Sequence, residues 1–110
     1  IKGKRNDGNK FVGQSFKKGA SLAIVNKIQR KFDSKNQLKV KNTLEFLTNS
    51  SKILRKNINT KIIAITGSCG KTTVKELLGY CLRKISKVSI SPNSYNNKYG
   101  VPLSLFNLNK

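Results

Sequence analysis

Residues 62–78 read IIAITGSCGKTTVKELL. An apolar, β-branched run ends at Thr66, a turn carries Gly67 and Gly70, and helix-spaced apolar residues follow from Lys71. A strand entering a glycine turn that opens a helix gathers backbone N–H groups about one point, and the helix dipole adds partial positive charge there. The pattern approaches G-x-x-x-x-G-K-[ST], but its first glycine is replaced by Ile65. The stretch is therefore either a broken phosphate loop or a variant of one.

Physical reading favours the variant. Gly67 and Gly70 permit positive φ and let phosphate oxygens approach where a Cβ would obstruct them. The backbone of Gly67, Ser68, Cys69, Gly70, Lys71, Thr72 and Thr73 would line an ATP phosphate site, with Lys71 as the catalytic cation on the β- and γ-phosphates and the Thr72 hydroxyl offered to Mg²⁺. The plain alternative is a tight strand-to-helix turn that uses glycine for geometry alone. Lys-Thr-Thr, the apolar strand before it and the amphipathic helix after it argue for the nucleotide site. Cys69 reads as a small loop residue, since no His or neighbouring Cys supports nucleophilic chemistry.

Val74, Leu77, Leu78, Cys81, Leu82 and Ile85 continue the helix at i, i+3, i+4, i+7, i+8 and i+11. Residues 61–66 then predict a strand buried on both faces of a parallel sheet, and residues 87–91 alternate like a second strand. The expected unit is β-loop-α-β with a right-handed crossover. Upstream, Asn6, Asp7, Gly8 and Asn9 predict a turn, with Asp7 or Asn9 capping a helix that carries Phe11, Val12 and Phe16 and stops at Gly19. Residues 21–25 predict a short buried strand, and residues 26–37 carry no clear signal. Asn42 caps an amphipathic helix running to Lys56, broken by residues 57–60. The domain boundary is expected near residue 58, and Pro102 marks a short helix.

The 110 residues carry 23 basic and 4 acidic side chains, a formal net charge of +19, which raises the prior for nucleic acid. Its distribution does not support that reading. Of the basic residues 19 are Lys and 4 Arg, scattered with no run longer than two, whereas nucleic-acid readers favour clustered Arg. Cys69 and Cys81, about 15 Å apart along a helix, are beyond the roughly 7 Å that a disulfide tolerates, so free thiols and a reducing cytoplasm are expected. No apolar run exceeds residues 62–65, so no membrane insertion is expected. With no Met, Ile1 at the start and an unfinished apolar pattern at residues 105–108, the chain reads as a fragment.

The loop TGSCGKTT, residues 66–73, resembles the ATP-binding loop of the Mur ligases, a family that lacks the early glycine. Two further stretches agree, in the family's order. SYNNKYGVPLSL, residues 94–105, is similar to its Asn-Asn-x-x-Gly-Val-Pro segment, and residues 1–25 resemble the run that helps hold a UDP-sugar. Asn6 and Asn9 stand where the family commonly has an aromatic residue and His.

The resemblance implies an α/β fold: the end of a small α/β N-terminal substrate domain at 1–58, then the first β-loop-α-β unit of a parallel-sheet P-loop ATP-binding domain at 59–110. It implies substrate contacts by Lys4, Arg5, Asp7, Asn96 and Asn97, ordinary turn chemistry being the alternative for the two asparagines. It further implies ATP and Mg²⁺ as cofactors. The GS-x-GKT-x-x-KE form at residues 67–76 looks most like family members that take UDP-N-acetylmuramoyl-tripeptide and D-alanyl-D-alanine as substrates, acting as a cytoplasmic monomer without nucleic acid. The alternatives are a ligase for another amino acid, a polyglutamate synthetase, a different phosphate-loop hydrolase and a basic nucleic-acid-binding protein.

Overall fold

The computed structural model describes residues 1, 6–92 and 97–108. The chain is α/β and divides into two compact units, Ile1–Leu47 and Thr48–Lys110. In the first, a 3-10 turn at Gly8–Phe11 leads into α1, Val12–Lys17. Asp7 is the cap: its Oδ1 accepts from the Asn9 N–H at 3.0 Å and from Asn9 Nδ2 at 2.7 Å. Asn9 Nδ2 also donates to Asn26 Oδ1 at 2.6 Å, tying this turn to the segment that follows β1. Gly19 sits at φ +90° just past α1, where the helix was expected to stop. Val12 is buried, but Phe11, expected on the same buried face, is 49% exposed, because it precedes α1 in the tighter 3-10 turn.

Strand β1 (Ala23–Val25) pairs in parallel with β2 (Gln37–Lys39), in the register Ala23↔Gln37, Ile24↔Leu38, Val25↔Lys39. Val25 is the most deeply buried large side chain described. The connection between these strands, illegible in sequence, is organised from inside by Gln37. Its Oε1 accepts from the Gln29 N–H at 2.9 Å, while Nε2 donates to the carbonyls of Gln29, Phe32 and Asp33 at 3.1, 3.2 and 3.2 Å. One side-chain amide thus satisfies backbone groups that would otherwise need water. Phe32, from the same connection, meets the Phe16 ring edge-on at a centroid distance of 5.7 Å.

Helix α2 spans Thr43–Asn57. Asn42 caps it as expected, Oδ1 accepting from the N–H groups of Leu44 at 3.0 Å and Glu45 at 3.2 Å. Glu45 in the first turn and Arg55 and Lys56 in the last complement the helix dipole. The division between units falls inside α2, whose second half lines an open groove of about 800 Å³ together with Val101, Pro102 and Leu105.

In the second unit, α3 spans Lys71–Leu82 and α4 Gly100–Phe106. Pro102 lies in the first turn of α4, where a missing N–H costs no helical bond. Residues 61–66 correct an expectation. They pair with no strand among the described residues, and Ile62 and Ile63 are 47% and 60% exposed. The apolar stripe of α3 is open too, with Val74 45% and Leu77 61% exposed, and Ile85, expected to continue it, lies past the helix end and is 81% exposed. Sequence pattern reports what a segment is suited to bury against; burial itself needs neighbouring strands, and the described residues contain none beside this segment. Residues 87–91 likewise join no ladder, so the expected right-handed crossover has no strand pair here from which to be read, although Val88 and Ile90 are half-buried. Gly79 permits the approach of Ile90: a Cβ there would lie 2.8 Å from Ile90 Cγ2. Among the described residues no helix is long and apolar enough to cross a membrane.

Candidate phosphate-binding loop

Gly67 adopts φ +152° and Gly70 φ +74°, the latter as the N-cap of α3 in the left-handed region. Two backbone positions that L side chains avoid therefore bracket Ser68 and Cys69, and bend the chain into the helix start. The first helical bond runs from the Val74 N–H to the Gly70 carbonyl at 2.9 Å. Among the described residues the N–H groups of Lys71, Thr72 and Thr73 find no acceptor, and no side chain caps this end. Three parallel donors and the positive end of a helix dipole thus face outward from one turn.

Lys71 folds back over the loop. Its Nζ donates to the Gly67 carbonyl, and to the Ser68 carbonyl at 3.2 Å. The half-buried lysine therefore holds its ammonium against the same turn that presents the amides. Thr72 and Thr73 are exposed, and their hydroxyls form no hydrogen bond among the described residues. Cys69 and Cys81 are both free and exposed.

The other sequence-derived residues are dispersed. Lys4, Arg5 and Asn96 lie outside the described residues. Asp7 belongs to the first unit and serves the turn described above. Asn97 belongs to the second unit, where its Oδ1 accepts from the N–H groups of Tyr99 at 3.0 Å and Gly100 at 2.9 Å. That is the turn role; its Nδ2 donates to none of the described residues. A residue that sequence reasoning passed over is Lys75. Only 15% of its side chain is exposed, and its Nζ donates to the Ser91 carbonyl at 2.8 Å while pairing with Glu76 Oε1 at 3.2 Å. Its i+4 spacing from Lys71 was the available signal.

A model of the Mur ligase middle domain matches residues 65–110. The chain is 37% identical over 108 residues to the UDP-N-acetylmuramoyl-tripeptide--D-alanyl-D-alanine ligase of Buchnera aphidicola subsp. Baizongia pistaciae, covering 98% of this chain and 24% of that protein. It superposes on the crystal structure of a MurF ligase from Thermotoga maritima in complex with ADP with a TM-score of 0.78 and 32% identity, across 100% of this chain and 25% of that one. Against the UDP-N-acetylmuramoylalanyl-D-glutamyl-2,6-diaminopimelate--D-alanyl-D-alanyl ligase of Acinetobacter baumannii the TM-score is 0.79 at 37% identity, covering 99% and 24% of the respective chains. The chain spans about a quarter of the length of the relatives it matches. Agreement in sequence, in backbone path and in the order of motifs leads to one assignment: the chain belongs to the Mur ligase family.

Proposed function

We propose that this chain supplies the phosphate-binding segment of an ATP-dependent ligase that joins D-alanyl-D-alanine to UDP-N-acetylmuramoyl-tripeptide, working as a cytoplasmic monomer in peptidoglycan synthesis. The observation that carries the reading is the joint presentation of three unpaired amides at residues 71–73 and the Lys71 ammonium on one glycine turn. The names of its relatives, one of them solved with ADP, support the nucleotide and the substrates.

In this reading the amides of residues 71–73 orient the terminal phosphates, and Lys71 offsets the charge that grows on the phosphoryl group as it moves. A tripeptide carboxylate oxygen bonds to the γ-phosphorus and ADP departs. The amine of D-alanyl-D-alanine then attacks the acyl carbon, loses a proton and expels inorganic phosphate. Phosphorylation is needed because a carboxylate is a poor electrophile. The exposed Thr72 hydroxyl fits as one hard oxygen ligand for Mg²⁺, which keeps several waters and takes phosphate oxygens. When bound, that ion supplies charge neutralisation at the phosphates. No group of three or more His, Cys, Asp or Glu stands ready for a metal among the described residues.

We place the substrate domain at 1–58 and the ATP-binding domain at 59–110. The end of α2 at Asn57 and the start of the middle-domain match at residue 65 support that boundary. Lys4, Arg5, Asp7, Asn96 and Asn97 remain the proposed substrate contacts.

The two thiols provide a direct test. Cys69 lies in the loop and Cys81 three turns along α3, both exposed. With ADP at about ten times its Kd, alkylation of Cys69 by iodoacetamide is expected to slow about tenfold, with Cys81 unaffected. Equal rates with and without nucleotide would remove the loop from the proposal. The 110-residue chain alone, given ATP and both substrates, is expected to release no phosphate above background. None of its four acidic residues follows Glu76, so it offers no carboxylate beyond residues 87–91 to hold the metal. Sustained turnover would contradict this.

A further inference from the structure

Lys75 is one helical turn beyond Lys71 on the same side of α3. The two lysines have different partners. Lys71 reaches back to the carbonyls of its own loop, whereas Lys75 crosses 16 positions of sequence to the Ser91 carbonyl. A buried lysine stem with its ammonium on a carbonyl and a neighbouring carboxylate is a directional tether, since charge-assisted hydrogen bonds are short and geometrically demanding. Ser91 closes the 87–91 segment, and its carbonyl is held beside the first half of α3. Ile90, one residue earlier, rests on Gly79 of the same helix. The segment is thus fixed along α3 by an apolar contact at Gly79 and by a charge-assisted hydrogen bond nearer the glycine loop.

We propose that Lys75 is a positioning residue for the nucleotide site: its hold on the Ser91 carbonyl fixes where residues 90–91 stand along α3 relative to the loop at 67–73. The inference rests on the nucleotide reading above. Removing the tether lets that segment drift, and the loop loses part of its preorganisation for phosphate. Arginine keeps a cationic donor for the Ser91 carbonyl; methionine keeps the stem and loses the donor.

The test is ADP affinity by calorimetry for the 110-residue chain, Lys75→Met and Lys75→Arg, each at a temperature where circular dichroism shows it fully folded. Lys75→Met is expected to bind about tenfold more weakly, and Lys75→Arg to recover most of the loss. Hydrogen exchange at the Ile90 and Ser91 amides should quicken in the methionine variant and return toward normal in the arginine variant. If folded Lys75→Met binds ADP like the parent, Lys75 serves stability alone and the inference is overturned while the nucleotide reading stands. If Lys75→Met does not fold, Lys75→Gln carries the same comparison. Failure of the unmodified chain to bind ADP overturns the nucleotide reading, and the inference with it.

Discussion

Lys71→Ala is expected to weaken ADP binding about a hundredfold, roughly 3 kcal/mol, while leaving the thermal melt of the chain nearly unchanged. The asymmetry follows from its surroundings. Among the described residues Lys71 bonds only to carbonyls of its own exposed loop, so its removal opens no core cavity and strands no buried partner. What disappears is the ammonium held against the turn from which three amides face outward. Arginine should not restore it, because a broad planar fork cannot lie across a turn this tight as a compact ammonium does. Titration with ADP for the parent, Lys71→Ala and Lys71→Arg checks this. Affinity within threefold of the parent in the alanine variant would show that the amides hold the anion unaided, and Lys71 would lose its assigned role.

Gln37→Ala should give the largest loss of stability, about 3 kcal/mol in a urea melt of the chain. The side chain is 7% exposed and makes four hydrogen bonds to backbone groups at residues 29, 32 and 33. Alanine leaves one amide and three carbonyls to find water, in a unit of 47 residues whose core is small. Gln37→Glu should be no better, because a carboxylate would face those three carbonyls without a hydrogen to offer. A loss below about 0.5 kcal/mol would mean that solvent replaces the amide without penalty.

The same residue shows where sequence reading stopped. Helix signals were legible because their chemistry is local: Asn42 caps the N–H groups of Leu44 and Glu45, two and three positions on, and Val74, Leu77 and Leu78 declare a period within about one turn. The glycine turn that opens α3 was legible for the same reason, since Gly67, Gly70 and Lys71 act on each other within five positions. Gln37 organises a loop through one side chain that in most proteins would be solvated, and no periodicity marks it. β2 was missed with it, being a three-residue strand that exists only through its pairing with β1. The segment at 61–66 erred the other way. Its apolar run states a preference for burial, and satisfaction of that preference depends on partners that local pattern does not contain. Asn97 was weighed between ligand and turn; its oxygen holds the turn that enters α4, which leaves the nitrogen end for a substrate.

The two glycines of the loop also bear on how this chain can vary. Every other genetically encoded residue is built with the same handedness, and the backbone at positions 67 and 70 lies where that handedness is penalised. A missense change at either codon therefore has no lenient option, whichever base is altered. Between them Ser68 and Cys69 are free to drift, so tolerance in this loop should change sharply from one codon to the next.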